Sequence, residues 1–329
     1  MTSFAAMTTL PRLSKYILHY CIVWSFGGSG ASKRALFESL HIRESGLSRR
    51  DVIVTVIDSG VATKQPDLVG KLLEGKDASG SPVPSVEDMN GHGTMMTSII
   101  AAGINNGIGI AGIADRVKIR PIRLSASPSE TPTDVQIERA WEIANMFKDS
   151  DVIVYATLEP FTQRKSVMYK PVITKAVEQG SFVIVSASNN DTATGPSEVD
   201  LPCSMANSMP GMVCAAATLT ANPTVLLNEA ALFASFGVPG TQVLVAKIRN
   251  AVGKWGYAEA RGSSCATAIV GGIAALMQSF KKLKPDMMKE ILLNATEGEV
   301  KTAKGEKMRY GVLRPDLAVK GAIQLARHH

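Results

Sequence analysis

Six runs rich in β-branched and aliphatic residues alternate along this chain with six stretches of helical pattern. The apolar runs are Val52–Asp58, Val117–Leu124, Val152–Tyr155, Phe182–Ser186, Val213–Ala217 and Val243–Ile248. Helices are expected at His92–Ala102, Asp134–Phe147, Val167–Gln179, Ser264–Phe280, Pro285–Ala295 and Pro315–Ala326. Strands that read as continuous apolar runs, without a polar face, are buried on both sides. Parallel strands need long crossovers, and the helices supply them. The alternation therefore predicts a three-layer α/β/α fold with a mostly parallel central sheet. At 329 residues and 45% hydrophobic composition the chain can bury one large core. Neither a Pro/Ser-rich linker nor an internal repeat divides the body. One domain is expected over residues 49–327, preceded by a leader or extension at 1–48 whose role the sequence leaves open.

Asp58 ends the first apolar run, Val52-Ile53-Val54-Thr55-Val56-Ile57, and is followed by Ser59-Gly60. An acid at the carboxyl end of a buried parallel strand lies where open α/β sheets place their functional crevice. Alone, Asp-Ser-Gly reads as a strand-ending turn. Of five histidines, His19 and His41 lie in the N-terminal region, and His328 and His329 end the chain. Only His92 falls inside the patterned body, between Gly91 and Gly93, which let other segments approach it closely. Ser264 precedes a stretch apolar on all sides, Ala266 to Met277, that suits a helix buried in the domain centre. A serine there has free helix N–H groups and the positive dipole end beside it, which favour a developing oxyanion. Gly271 and Gly272 weaken such a helix, and close packing against the sheet is the expected reason for them. A Ser-Ser helix cap is the plainer reading of the same segment.

Together these three supply an acid, a base and a nucleophile, separated by 34 and 172 residues. A serine hydroxyl needs a base within hydrogen-bond reach to take its proton. Imidazole, titrating near ~6.5, suits that task, and a buried carboxylate fixes its tautomer and stabilises the imidazolium. The order Asp, His, Ser, with Gln65-Pro66-Asp67-Leu68, Gly91-His92-Gly93-Thr94 and Gly262-Ser263-Ser264-Cys265-Ala266-Thr267, resembles the subtilisin-like serine peptidases. The resemblance runs from about Arg49 to Ala326. It implies a subtilisin-like fold and an endopeptidase that hydrolyses polypeptides through an acyl-enzyme without a cofactor. It makes Ser264 the nucleophile, His92 the base and Asp58 the orienting acid. Asn190 becomes the side-chain oxyanion donor, with Asn189 where the family has glycine. Substrate-binding walls fall at Thr157, Leu158 and Glu159 after one strand and at Ser186, Ala187 and Ser188 after another.

The sequence also departs from the pattern. The family's serine segment reads Gly-Thr-Ser-Met-Ala-x-Pro; here Ser263, Cys265 and Ala268 stand for its Thr, Met and Pro. Glu159 replaces a glycine where the substrate backbone docks. It shifts peptide preference toward basic residues if it lines the pocket, or it faces solvent, which is the blander reading. Calcium sites are frequent in the family, but no ligand set for one carries over, and no metal is expected. The rival function is a catalytically inactive domain used for binding or regulation. Glu159, Ala268 and the lack of an evident propeptide favour that rival; the intact acid, base and nucleophile oppose it.

Other chemistries conflict with the pattern. Gly107-Ile108-Gly109-Ile110-Ala111-Gly112 has the glycine spacing of a dinucleotide loop, yet it follows a helix and precedes a strand, the reverse of the required order. Neither Gly-x-Ser-x-Gly nor His-Glu-x-x-His occurs. The net charge of +6 is dispersed; its densest cluster, Lys281-Lys282-Leu283-Lys284, lies past a helix end where cations complement the dipole. No nucleic-acid face is expected. Cys21, Cys203, Cys214 and Cys265 show neither zinc spacing nor a dense disulfide framework. Cys203 and Cys214 could bridge in an oxidising compartment, but free thiols are expected. The apolar run Tyr16–Phe26 is too short to span a membrane. With Arg12 and Lys15 before it and Ser29-Gly30-Ala31 after, it faintly resembles a secretory signal. Its removal leaves little before Asp58, and Asn190-Asp191-Thr192 is a glycosylation sequon where a glycan would block the site. These points favour an intracellular protein, with secretion as the alternative. The oligomeric state stays open.

Overall fold

Residues 46–327, apart from 128 and 191–199, are described by the computed structural model. Most of the expected 1–48 leader lies outside them, as do Tyr16–Phe26, Cys21, and Asp191 and Thr192 of the sequon. The elements in chain order are β1 (Val52–Asp58), β2 (Lys76–Asp77), α1 (His92–Ala101), β3 (Val117–Arg123), α2 (Asp134–Met146), β4 (Val152–Tyr155), α3 (Gln163–Glu178), β5 (Phe182–Ser186), β6 (Met212–Leu219), β7 (Asn222–Leu226), β8 (Phe236–Pro239), β9 (Val243–Ala246), β10 (Tyr257–Ala260), α4 (Ser263–Phe280), α5 (Pro285–Asn294), β11 (Thr296–Glu297), β12 (Val312–Leu313) and α6 (Pro315–Arg327). The main sheet runs β11-β12-β8-β6-β5-β4-β1-β3-β2, with β7 also paired to β6. Its pairs are parallel except β11–β12 and β6–β7.

β1 illustrates why the sheet is covered on both faces. Successive side chains point to opposite sides of a strand. Val52, Val54 and Val56 enter the layer built with α1, α4, α5 and α6. Ile57 enters the other layer, with Trp141 of α2 and Tyr169 of α3. Thr55 is fully buried and meets its polar need through Ser150 Oγ at 2.6 Å. This is the three-layer α/β/α architecture.

α4 is the central helix of the first layer. It is long and apolar enough to cross a membrane by composition, but 94% of it is buried inside the domain. Its two glycines are explained by packing: a Cβ on Gly271 would lie 2.8 Å from Val154 Cγ2 of β4, and one on Gly272 would lie 2.5 Å from Ile113 Cβ. A capping box starts α2, where Gln136 N–H donates to Thr133 Oγ1 (3.3 Å) and Thr133 N–H donates to Gln136 Oε1 (2.7 Å).

One expected strand belongs elsewhere. The Val243–Ile248 run shortens to β9, which pairs antiparallel with β10 in a separate two-stranded sheet. Its apolar side chains are buried against α1 instead, and Ala246 N–H donates to Ser98 Oγ of that helix at 3.0 Å.

β1 lies between β3 and β4. The chain leaves β1 for β3 and then returns to β4 on β1's other side. Such reversals open a crevice at the carboxyl ends of the strands.

Candidate active site

Asp58, the last residue of β1, is 2% exposed. A carboxylate buried this deeply requires donors. Oδ1 accepts from Ser59 N–H at 2.7 Å, and His92 Nδ1 lies 2.8 Å from Oδ1 and 3.0 Å from Oδ2. An ionised carboxylate only accepts, so Nδ1 carries the proton and Nε2 of the neutral ring keeps its lone pair. The Asp58 charge raises the proton affinity of His92; burial opposes it, while the hydrogen bond to Asp58 and the charge of Asp88 add to it. His92 is the first residue of α1. Gly93 permits the close approach expected of it: a Cβ there would lie 2.1 Å from Gly60 O and 3.2 Å from Asp58 Cβ.

Ser264 stands at the head of α4, and its hydroxyl donates to Ala156 O at 2.9 Å. Ala156 directly follows β4, whose Tyr155 is paired with Ile57 of β1. Ala156 and Asp58 are therefore neighbours on adjacent strands, which lie about 4.8 Å apart. The hydroxyl thus sits at the sheet end that carries the Asp58–His92 pair, with its own hydrogen bond directed to a carbonyl.

The asparagine whose side chain bonds the serine segment is Asn189, the neighbour of the expected Asn190. Ser263 N–H donates to Asn189 Oδ1 at 2.8 Å. A backbone N–H can only donate, so the carbonyl oxygen of the amide faces it and Nδ2 remains as a donor. Asn190 is held differently: its N–H donates to Ser188 Oγ (3.2 Å) and its carbonyl accepts from Ala230 N–H (3.3 Å). β5 ends at Ser186 as expected, and in the loop after it Asn189 takes the position next to Gly262.

Glu159 does not face solvent. It is 7% exposed, its backbone bridges Leu201 in both directions (2.9 and 2.7 Å), and its carboxylate accepts from Lys165 Nζ at 2.8 Å. Thr157 and Leu158 are half-buried beside Ala156. Ser186 and Ala187 are fully buried, Ala187 within the α2–α3 layer, and Ser188 is buried at the end of the same segment.

Cys203 and Cys214, expected as free thiols, form a disulfide. The turn at Cys203 folds back on β6 and brings the two Cα atoms to 5.2 Å, within bridging range. Cys265, next to Ser264, remains a buried thiol whose pKa burial pushes up to about 12. Buried Asp67, in the Pro-Asp-Leu turn, accepts from Asn106 Nδ2 and Ile110 N–H, both at 2.7 Å, so its oxygens already serve that loop. Among the described residues no three His, Cys, Asp or Glu converge on a point.

The subtilase family model matches residues 49–312. The chain belongs to the subtilase family. It is similar to subtilisin E of Bacillus subtilis (strain 168), 28% identical over 239 residues that cover 72% of this chain and 58% of that protein. It is also similar to a thermophilic serine proteinase of Bacillus sp. (strain AK1), 28% identical over 241 residues, with 69% of this chain and 52% of that protein covered. It thus spans little more than half the length of these relatives. Among solved structures, the nisin leader peptidase NisP from Lactococcus lactis superposes with a TM-score of 0.67 at 18% identity, covering 86% of this chain and 90% of that one. A cold-adapted subtilisin-like serine proteinase gives a TM-score of 0.61 at 21% identity, covering 80% and 88%. These structural likenesses establish the fold.

Sequence reasoning missed two residues of this subtilase's site. Ala156 acts only through its carbonyl, for which no sequence signal exists. Asp88 had one: an aspartate closely preceding a helix start.

Proposed function

We propose that this chain is a serine endopeptidase that hydrolyses polypeptides through an acyl-enzyme. The observation that carries this reading is the hydrogen-bonded Asp58–His92 pair at the sheet end that also bears Ser264. Ser264 Oγ attacks the peptide carbonyl while His92 Nε2 takes its proton and Asp58 holds the imidazolium. The oxygen that becomes negative accepts from Asn189 Nδ2 and from the Ser264 N–H at the head of α4. His92 then gives the proton to the departing amine, and water repeats the sequence on the ester. Family membership and the serine proteinase among its relatives support the reading. Glu159, neutralised by Lys165, supplies no free charge to draw basic side chains. The Cys203–Cys214 bridge supports an oxidising compartment as the working site, in place of an intracellular one.

A catalytically inactive binding domain is the second reading, favoured by the Ser264 hydroxyl donating to the Ala156 carbonyl instead of to the base. A fluorophosphonate probe separates the two. An enzyme labels at Ser264, and Ser264→Ala abolishes the label. His92 must be neutral to act, and Asp58 raises its proton affinity, so the labelling rate falls on an acid limb centred above the ~6.5 of free imidazole. A folded protein that takes no label is the binding domain.

A further inference from the structure

Gly91, which caps α1, has no side chain to satisfy the first N–H groups of the helix. A carboxylate three residues earlier does so instead. Asp88 is 3% exposed and receives five donors. Oδ1 accepts from Ser59 Oγ (3.0 Å), Asn90 N–H (3.0 Å) and Gly91 N–H (2.7 Å). Oδ2 accepts from Thr94 N–H (2.9 Å) and Thr94 Oγ1 (2.6 Å). Ser59 Oγ in turn accepts from Gly93 N–H at 2.9 Å, and Ser59 N–H donates to Asp58 Oδ1 at 2.7 Å. One buried charge therefore ties together the residue after Asp58, both glycines flanking His92 and the first turn of α1. A helix cap alone needs only a neutral side-chain oxygen. Burying a full charge is costly, which calls for a use of the charge itself.

Resting on the peptidase reading, we propose that Asp88 is a positioning residue: it fixes the backbone that carries His92 against Asp58 and gives the imidazolium a second negative charge. It acts through His92, by way of Gly91 and Gly93, and not on substrate. The carboxylates acting on His92 are Asp58 first, from the end of β1, and then Asp88, from the loop before α1. The imidazole gains a full positive charge as Ser264 attacks. A fixed carboxylate nearby therefore favours the transition state over the ground state.

Two variants test this. Asp88→Asn removes the charge and turns one acceptor into a donor; Ser59→Ala cuts the arm to the strand end but keeps the charge. Both are expected to lower kcat about 10- to 100-fold with KM little changed, the scale on which misplacing a catalytic group is felt. Only Asp88→Asn moves the acid limb of the rate to lower pH. The His92 titration, followed by NMR in Ser264→Ala with and without Asp88→Asn, needs no turnover and shifts down in the same way. An unmoved titration overturns the proposal, as does wild-type kcat in both variants. A loss of kcat with an unmoved acid limb makes Asp88 a helix cap only and also overturns it. If Asp88→Asn fails to fold, a Ser59→Ala protein with wild-type kcat overturns the positioning role and a 10-fold loss upholds it. A wild-type protein that takes no fluorophosphonate sinks the peptidase reading, and the NMR comparison still decides this one.

Discussion

At the residue scale, the two consecutive asparagines after β5 offer a sharp discrimination. Asn189 Oδ1 is committed to Ser263 N–H, which leaves its Nδ2 as the donor beside the serine segment. Under the proposed mechanism Asn189→Ala lowers kcat about 10²–10³-fold, the range for loss of one oxyanion donor. Asn190→Ala leaves kcat near wild type, because the bonds to Ser188 and Ala230 run through its backbone and survive the change. Steady-state kinetics on both variants checks the pair; equal losses would return the donor role to Asn190. That Asp58 ends a strand, His92 opens a helix and Ser264 lies at the head of another was legible because those element boundaries are readable from periodicity. The register between Asn189 and Asn190 was not. β5 stops at Ser186 as expected, but which of two identical neighbours bonds the serine segment is decided by a tertiary contact, Asn189 with Ser263 N–H, 74 residues apart in sequence. Glu159 was misread for a similar reason: its partners Lys165 and Leu201 are tertiary.

At the scale of elements, α4 sets the distance between the serine and the sheet. Gly272→Ala tests how tightly. Alanine gains about 1 kcal/mol of helix propensity over glycine. The new Cβ, however, would lie 2.5 Å from Ile113 Cβ, an atom no rotamer can move. The backbone there is held as well, by Ile113 N–H to Ile99 O (3.0 Å) and Gly112 N–H to Ala102 O (2.9 Å). Overpacking of this kind costs about 1–3 kcal/mol, so the variant is expected to lose stability on balance. The midpoint of urea unfolding checks it, and a stabilised variant would mean the loop at Ile113 yields. Helices were read to within a few residues because their apolar periodicity is intrinsic to the segment. β8 was missed because Gly237 and Pro239 give it no strand pattern. It exists because β6 and β12 pair with it on either side.

At the scale of the whole molecule, strand order and long-range links were invisible in the sequence, and the Cys203–Cys214 bridge is the clearest case. Two cysteines eleven residues apart say nothing of whether the turn between them folds back on β6. That turn follows Leu201, which bridges Glu159 beside the candidate substrate wall, so the disulfide ties this wall to the centre of the sheet. A closed loop of this length restricts the unfolded chain by about 3 kcal/mol in the chain-entropy account. Cys203→Ser/Cys214→Ser, or the wild type under a reductant, is therefore expected to unfold at lower denaturant than the oxidised protein. Because the restraint acts beside Glu159 and not at Asp58 or His92, KM for peptides should rise before kcat falls. If denatured, unreduced protein yields both thiols to alkylation and reductant leaves the unfolding midpoint unmoved, the cysteines are free. The argument for an oxidising working site then fails with them.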